Sequence, residues 1–385
     1  MNRRDFLAAS AAALFVPEVV LAQSETGYRR LLILIELKGG NDGLNSVVPY
    51  ADQGYYALRP RLAVKRDEVL QLDERTGLHP SLKPLLALWE ARELAIVQGV
   101  GYPSPNLSHF RSIEIWDTAS RSDQYLAEGW LARCFAAHPA PEGFAADGVA
   151  VGGNDMGPLA GTGARAIALA EPEQFLRQAR LANPAGAKRN AALSHILKVE
   201  SDIVRAASHL GSGAQVRVEF SDGGAASPWR NAVRTAARLA VNEAGVAAIR
   251  LSLGGFDTHQ NQPNLHARLL GEVAEGIAAL RGALAPIGRW DSTLVMTYAE
   301  FGRRPQENNS MGTDHGAAAA HFVAGGRVRG GLYGQAPRLD DLEGGNLRHA
   351  VDFRSLYATA LERWWGVQSA RTLGARFETL DLLRT

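Results

Sequence analysis

The sequence has little cysteine, almost no net charge and no long apolar segment. Cys134 is its single cysteine, so an intramolecular disulfide is excluded and the folded state must rely on a packed core. Lys and Arg total 41 against 40 Asp and Glu, a balance that argues against nucleic acid or an anionic membrane as partner. No apolar run reaches the roughly 20 residues that a membrane-spanning helix needs. We therefore expect a soluble protein without stable membrane insertion.

Residues 1–22 have the pattern of an export signal. Arg3 and Arg4 precede an apolar stretch from Leu7 to Val16, an arrangement typical of a twin-arginine signal peptide. The small residues that end at Ala22 predict cleavage after that position. We expect the twin-arginine export machinery to carry the folded protein to the periplasm or the extracellular space. Folding before export lets the cell choose which metal enters a site.

Apolar runs alternate with helical patterns along residues 23–385, the expected mature domain. Runs of this continuous apolar kind are typical of strands buried on both faces of a parallel sheet. The four runs are Leu31–Leu37, Leu94–Val100, Val246–Leu253 and Ser292–Tyr298, and the helical patterns are Pro80–Ala91, Asn231–Ala244 and His266–Leu284. The alternation predicts an α/β fold with a mostly parallel central sheet flanked by helices.

The interval from about 140 to 228 follows a different pattern. Gly152–Gly163 is rich in loop-forming residues, and Glu171–Leu210 mixes helix-forming and apolar residues. We expect this interval to form a cap, or insertion, of loops and helices over the sheet edge. Phe353–Trp365 is predicted to be a C-terminal helix that closes the domain.

Polar side chains follow the carboxyl ends of the predicted strands. They are Asp42 after the first strand, Ser108 after the second, Asp257 with His259 after the third, and Glu300 after the fourth. In open α/β sheets, ligands bind outside the carboxyl ends of the strands, so we expect these side chains to converge. Each has a structural alternative: Asp42 would cap a helix, and Asp257 would form an Asx turn beside a surface histidine.

Asp314-His315, on a turn flanked by Gly312 and Gly316, is the most specific motif in the chain. A carboxylate oxygen beside an imidazole nitrogen suits zinc or manganese better than calcium or magnesium. His321, six residues later, is either a further ligand or a buried histidine at the start of a strand. The sequence therefore predicts a site for one or two divalent ions.

Ser108 stands just where a helix over Ile113–Ala119 is predicted to begin. A hydroxyl there lies in the positive field of the helix dipole and, if coordinated to a metal, would serve as a nucleophile. The alternative is an ordinary N-cap, and His109 is a candidate supporting donor. Glu300 is a candidate metal ligand and Arg303 a candidate for bidentate binding of an anionic oxygen, with an internal salt bridge as the alternative.

In order along the chain, these motifs resemble the bacterial family called domain of unknown function 1501, whose members usually carry a twin-arginine signal. The matching segments are Gly39–Asn45, Leu107–Phe110, Gly254–Gln262, Tyr298–Arg304, Gly312–Gly316 and Phe322–Gly326. The resemblance covers essentially the whole chain after the signal. That family looks like a branch of the alkaline-phosphatase superfamily, which includes phosphatases, sulfatases and cofactor-independent phosphoglycerate mutases.

The resemblance implies an alkaline-phosphatase-like fold and a two-metal site with a hydroxyl nucleophile between the ions. The implied ligands are Asp42, Ser108, Asp314 and His315 for one ion, and Asp257, His259 and His321 for the other. Neither Cys134 nor Ser108 has the surroundings of a formylglycine motif, which argues against a standard sulfatase.

From these features we expect an exported metal-dependent hydrolase of phosphate esters, or of sulfate esters, that acts on a small molecule or a glycan ester. Two alternatives remain open. One is a non-catalytic exported binding or assembly protein that retains the fold. The other is a hydrolase of cell-surface polysaccharide that uses the same site.

Overall fold

The structure, a computed structural model, describes residues 27–169, 216–242 and 245–384. Within these residues a nine-stranded sheet forms the centre of the fold. The predicted export signal, residues 1–22, lies outside the described residues. No helix among the described residues is both long and apolar enough to cross a membrane.

The strands and helices are numbered here in chain order over the described residues. The strands are β1 (Leu31–Lys38), β2 (Val47–Val48), β3 (Leu70–Gln71), β4 (Gly77–Leu78), β5 (Leu94–Gly101), β6 (Ala146–Val151), β7 (Ala166–Leu169), β8 (Val246–Gly254), β9 (Thr293–Tyr298), β10 (Gly302–Glu307), β11 (Thr313–Gly316), β12 (Ala319–Ala324), β13 (Gly331–Gly334), β14 (Leu342–Glu343), β15 (Asn346–Leu347) and β16 (Val351–Asp352). The helices are α1 (Gly43–Ser46), α2 (Gln53–Leu58), α3 (Leu86–Glu90), α4 (His109–Thr118), α5 (Trp130–Ala137), α6 (Pro228–Ala240), α7 (Gln262–Leu284), α8 (Phe353–Ala358) and α9 (Ser369–Leu373).

The central sheet is mostly parallel, as predicted. Its strand order is β13-β5-β12-β9-β1-β8-β6-β7, and β16 pairs with β5 outside this path. Strand β12 is antiparallel to both of its neighbours, whereas β1 is parallel to β8 and β9. The loops that follow β1, β8 and β9 therefore leave the same edge of the sheet. The α/β fold class predicted from the alternating patterns is confirmed.

Both faces of β1 are buried, which explains its continuous apolar sequence. Ile33 and Ile35 belong to one core, and Leu32 and Leu34 belong to the other. Successive side chains of a strand point to opposite faces, so each core receives alternate residues. Helices α6 and α7 pack in the first core, and α4, α5 and α8 pack in the second. Burying an aliphatic side chain of this size stabilises the fold by about 1.5–3 kcal/mol.

Helices α4 and α7 each begin four residues earlier than the apolar patterns predicted. Helix α4 starts at His109, because Ser108 has the extended backbone of an N-cap residue, with φ −86° and ψ 128°. Helix α7 starts at Gln262 after the left-handed Asn261, and Pro263 fits its first turn because no N–H is needed there. Both starts are polar, so the apolar period does not reveal them.

The interval predicted as a cap contributes to the central sheet. β6 and β7 fall within it, and β6 pairs in parallel with β8. Asp147 and Gly148 interrupt the apolar character of β6, although every residue of that strand is buried. The prediction of a separate cap over all of residues 140–228 is therefore corrected for these two strands. Residues 170–215, which include the predicted helical segment Glu171–Leu210, lie outside the described residues.

Candidate metal centre

Three side chains from distant parts of the chain meet at the carboxyl edge of the sheet. Asp257 follows β8, His109 opens helix α4 after β5, and His315 lies in β11. Their candidate ligand atoms all lie within 4.8 Å of one another. Among the described residues, these three side chains form a group that could hold a metal ion. Asp257 Oδ2 lies 3.3 Å from His109 Nε2, and Asp257 Oδ1 lies 3.2 Å from His315 Nε2. The prediction that polar clusters converge at this edge thus holds for these segments.

His259 adds a fourth donor to this group. Its Nε2 lies 2.9 Å from His315 Nε2 and 3.0 Å from Asp257 Oδ1. The side chains of Asp257 and His259 are 45% and 43% exposed, so the cluster opens to solvent. We call His109, Asp257, His259 and His315 the histidine cluster.

Each imidazole of the histidine cluster has an oxygen acceptor beside its Nδ1 atom. The distance is 2.8 Å from His315 Nδ1 to the Leu107 carbonyl and 2.8 Å from His109 Nδ1 to Glu300 Oε1. His259 Nδ1 lies 3.6 Å from Asp314 Oδ1. The oxygen acceptors at 2.8 Å from His315 Nδ1 and His109 Nδ1 favour a proton on each of these atoms, and that tautomer would leave Nε2 free to bind a cation in place of its contact with Asp257.

The donor set of the histidine cluster fits a divalent cation. The Nε2 atoms of His259 and His315 and the carboxylate of Asp257 lie close enough together for all three to bind one cation. Imidazole nitrogens together with one carboxylate are the ligands that zinc prefers in proteins, and manganese accepts the same types. Carboxylates behind the imidazoles are a common feature of such centres, because they fix the ring orientation and raise the basicity of the ligand.

Glu300 and Asp314, both predicted as metal ligands, lie behind the histidines. The Glu300 carboxylate is buried and accepts from the Gly39 N–H at 2.9 Å as well as facing His109. Asp314 is half-exposed and accepts from Asn308 Nδ2 at 3.3 Å. Their carboxylates face the Nδ1 atoms rather than the Nε2 atoms, so they are placed to orient the rings.

The surroundings of the cluster favour an ionised Asp257 and a neutral His315. Burial raises the pKa of Asp257, but the hydrogen bond and charge of Arg303, with smaller contributions from His315 and His259, lower it to about 2. Burial lowers the pKa of His315, and the Leu107 carbonyl and Asp257 only partly offset this effect. These are the protonation states that a metal ligand requires.

Arg303 is buried and joins the loops that carry the cluster. Its Nε donates to the Gly40 carbonyl at 2.8 Å, its Nη1 to the Thr313 carbonyl at 2.8 Å, and its Nη2 to Asp257 Oδ1 at 2.6 Å. The side chain is 0% exposed, and among the described residues it forms no ion pair with Glu300. The predicted role in binding a substrate anion does not match this placement, because the guanidinium donates to protein oxygens.

Two glycines allow the loops to approach closely enough for the cluster to form. Gly39 has φ +116°, and a Cβ there would lie 2.4 Å from the Asp257 nitrogen. A Cβ at Gly312 would lie 2.1 Å from the His259 carbonyl carbon. Any side chain at either position would push apart segments that carry cluster residues.

Asp42, predicted as a ligand, lies in a separate buried network. It is the N-cap of α1, and its Oδ2 accepts from Arg59 Nη1 at 2.6 Å and from Gln262 Nε2 at 2.5 Å. Burial raises its pKa, but the charge of Arg59, the charge of His266 and the hydrogen bonds from Arg59 and Gln262 together lower it below the ordinary value. The structure therefore shows the helix-capping alternative, with a carboxylate that faces Arg59 and not the histidine cluster.

His321 is a core residue of β12 and does not join the histidine cluster. It is 1% exposed, its ring packs 5.3 Å from Trp116, and its Nε2 has no hydrogen-bond partner among the described residues. Burial lowers its pKa to about 3, so the ring is neutral at neutral pH. The alternative of a buried histidine matches this placement.

Ser108 is exposed beside the histidine cluster. It is the N-cap of α4, yet its side chain makes no capping hydrogen bond, and its backbone N–H donates to Asn106 Oδ1 at 2.9 Å. Its neighbour His109 was predicted only as a supporting donor, whereas the structure turns His109 Nε2 toward the centre. The sequence did contain a signal for a direct role of His109: like the other candidate ligands, it follows the carboxyl end of a predicted strand. The nucleophilic role of Ser108 stays a prediction.

One protein family, described as Protein of unknown function (DUF1501), matches residues 29–373. The chain belongs to the DUF1501 family. This result confirms the resemblance predicted from the motifs, and the matched segment contains the whole histidine cluster. No curated protein matches the sequence.

Solved structures with some similarity to this DUF1501 chain include a phosphonate monoester hydrolase of Agrobacterium radiobacter, at 14% identity and a TM-score of 0.39, with coverage of 91% of this chain and 78% of that one. A protein in the alkaline phosphatase superfamily from Vibrio parahaemolyticus has 10% identity and a TM-score of 0.38, with coverage of 82% and 65%. Ps i-CgsB has 13% identity and a TM-score of 0.38, with coverage of 90% and 72%. At these identities and TM-scores, the similarities establish neither an activity nor a site for this chain.

Proposed function

We propose that this DUF1501 protein is an exported metal-dependent hydrolase of phosphate or sulfate esters, with phosphate preferred. The observation that carries the proposal is the convergence of three Nε2 atoms on the Asp257 carboxylate, with an oxygen acceptor beside each Nδ1. The residues that would hold the cation are His109, Asp257, His259 and His315. Zinc or manganese suits this donor set.

A divalent cation bound there would polarise an ester oxygen and lower the pKa of a nearby hydroxyl. The protein residues prepare the site for it. In this proposal Arg303 keeps the pKa of Asp257 low, and Glu300 accepts from His109 Nδ1, which would leave the Nε2 atom of that ring free for the cation.

Ser108 is the nucleophile in this proposal. Its hydroxyl is exposed, is not used in capping and belongs to the residue before His109. The Ser108 Oγ atom would bond to the phosphorus while the bond from phosphorus to the leaving alcohol breaks, and the serine proton would end on that alcohol. Water would then hydrolyse the phosphoserine and restore the hydroxyl.

The proposal is tested by metal content and turnover of the purified full-length protein. We expect one or two equivalents of zinc or manganese, and hydrolysis of 4-nitrophenyl phosphate or 4-nitrophenyl sulfate. Ser108→Ala should keep the metal and lose turnover, whereas His315→Ala should lose both. Asp123→Ala, at an exposed acid outside both the cluster and the other cavities described below, is the matched control for both readouts.

Each failure would point to a different conclusion. Turnover that survives in Ser108→Ala would rule out the serine as nucleophile. A protein that holds no metal and hydrolyses neither ester would contradict the enzyme proposal and favour a non-catalytic exported binding or assembly protein.

Export is a separate part of the proposal. It rests on the twin-arginine pattern at Arg3 and Arg4. Replacement of both residues by lysine should leave the protein in the cytoplasm, with the uncleaved chain detected by mass. Continued release of a protein cleaved after Ala22 would contradict this route.

A further inference from the structure

Three cavities lie end to end along residues 335–350. Their volumes are about 200, 390 and 670 Å³. The first and second share Leu347–His349 as lining residues, and the first and third share Ala336–Arg338. The three cavities are therefore neighbours, and we call the surface that they form together the 335–350 groove.

One end of the 335–350 groove adjoins the histidine cluster. The cavity at that end is lined by Pro103–Pro105 and by Ala317. The first of these segments leads directly to Leu107, and Ala317 lies two residues after His315. The Leu107 carbonyl and His315 Nδ1 are 2.8 Å apart, so the two walls of this cavity meet where a cluster histidine is oriented.

Gln98 presents an unpaired amide to the middle of the groove. It lies in β5, is 6% exposed and lines the central cavity. Among the described residues, none forms a hydrogen bond with its side-chain amide. The amide is not among the side-chain groups sealed from solvent without a partner, so it is open to the cavity and can donate to and accept from a polar ligand there.

A row of alternating charges lines the same groove. Arg348 Nη1 lies 2.8 Å from Glu343 Oε2, Arg348 Nε lies 3.1 Å from Asp341 Oδ1, and Arg338 Nη1 lies 3.8 Å from Asp341 Oδ2. All four side chains are at least 41% exposed, and exposed ion pairs contribute only about 0–1 kcal/mol to stability. The row is better explained as a series of hydrogen-bond donors and acceptors that face a ligand.

The chemistry of the groove fits sugar hydroxyls. Each hydroxyl both donates and accepts, and neighbouring hydroxyls on a sugar ring match a guanidinium beside a carboxylate. Positive and negative groups are interspersed along the groove, so it lacks the excess of basic side chains that a polyanion such as nucleic acid requires. Cavities joined end to end suit several linked rings better than one compact molecule.

We propose that the 335–350 groove binds a linear oligosaccharide, so that the ester reaching the histidine cluster is carried on a glycan chain. The statement about the ester rests on the proposed function. The statement about oligosaccharide binding does not, because the groove lies outside the cluster.

The test is calorimetric titration of the full-length protein with linear hexasaccharides of glucose, N-acetylglucosamine and xylose, and with a neutral hexapeptide. We expect at least one hexasaccharide to bind. Gln98→Leu, which keeps the shape but removes the amide, and Arg348→Ala, which is exposed, should each weaken binding roughly tenfold or more. Arg363→Ala is the matched control, because Arg363 is a surface arginine paired at 3.0 Å with Asp381 on another segment. Circular dichroism will show which variants are folded.

Three results would overturn the proposal. They are no hexasaccharide binding up to millimolar concentrations, unchanged binding in folded Gln98→Leu and Arg348→Ala, or binding of the hexapeptide alone. Metal content measured on the same samples separates this proposal from the proposed function. If the protein binds an oligosaccharide but holds no metal, the groove proposal stands and the metal-dependent hydrolase is contradicted. If it holds metal but binds no oligosaccharide, the groove proposal is contradicted and the hydrolase stands.

Discussion

The Nε2 atoms of His259 and His315 lie 2.9 Å apart, although the two residues are separated by 56 positions in the sequence. His315 Nδ1 lies 2.8 Å from a backbone carbonyl oxygen and His259 Nδ1 lies 3.6 Å from a carboxylate oxygen, so both rings direct their Nε2 atoms toward the centre. Asp257 Oδ1 lies 3.0 and 3.2 Å from the same two nitrogens. A cation bound by these nitrogens would also balance the charge of the Asp257 carboxylate, so we expect this part of the cluster to respond most to metal.

Removal of the metal should destabilise the protein. Treatment with a chelator followed by addition of zinc should raise the free energy of unfolding, by about 2.7 kcal/mol when free zinc is 100 times its dissociation constant. Thermal unfolding with and without zinc measures this change. Asp257→Asn should respond much less to zinc, since it loses the central negative charge. An equal response in that variant would mean that zinc binds elsewhere.

Glu300→Gln should weaken metal binding without unfolding the protein. The carboxylate faces His109 Nδ1 at 2.8 Å and accepts from the Gly39 N–H, and the amide keeps its shape but loses the charge. Loss of such a partner behind a ligand typically costs about 10–100-fold in metal affinity. Competition with a fluorescent zinc chelator measures the change. Glu343→Gln, at an exposed carboxylate, is the control, and equal affinity in both variants would contradict the orienting role.

Asp42→Asn should destabilise the fold and leave the metal in place. The carboxylate pairs with Arg59 at 2.6 Å, and both side chains are 0% exposed. Removal of one partner of a buried ion pair costs about 3–5 kcal/mol, because the other charge is left buried. Urea unfolding measures the loss, and elemental analysis measures the metal. Loss of metal from folded Asp42→Asn would restore Asp42 as a ligand.

Acid should destabilise the protein partly through its buried histidines. Burial lowers the pKa of His321 to about 3 and that of His266 to about 4, from an ordinary value of 6.5. Below pH 6.5 the unfolded chain takes up protons that the folded protein does not, so the free energy of unfolding falls as pH falls toward these values. Above pH 6.5 the contribution is complete and constant. The slope is about 1.4 kcal/mol per pH unit for each histidine.

His321→Leu isolates one of these contributions. Between pH 6.5 and 5 this variant should lose about 2 kcal/mol less stability than the unchanged protein, as measured by urea unfolding at the two pH values. His349→Leu, at an exposed ring, is the control. Identical pH dependence in all three proteins would show that His321 does not remain neutral in the folded state.

The main strands could be predicted because they are buried on both faces. The apolar run at Leu31–Leu37 differs by one residue from the observed strand Leu31–Lys38, and Leu94–Val100 differs by one from Leu94–Gly101. β6 escaped prediction because Asp147 and Gly148 interrupt its apolar pattern. Its burial comes from pairing with β8, a contact between segments about 100 residues apart.

The sequence determined the family, the α/β fold, and the place of Asp257 and His259 at the carboxyl edge of the sheet, because parallel strands bring their following loops to the same side. Only the tertiary structure brought His315 to them from β11 and decided which atoms face the centre. It paired Asp42 with Arg59, because the folded chain places a compensating charge beside that buried carboxylate. It turned His109 inward and set Glu300 behind it, since a ring has two nitrogens and its orientation depends on the acceptor packed against one of them.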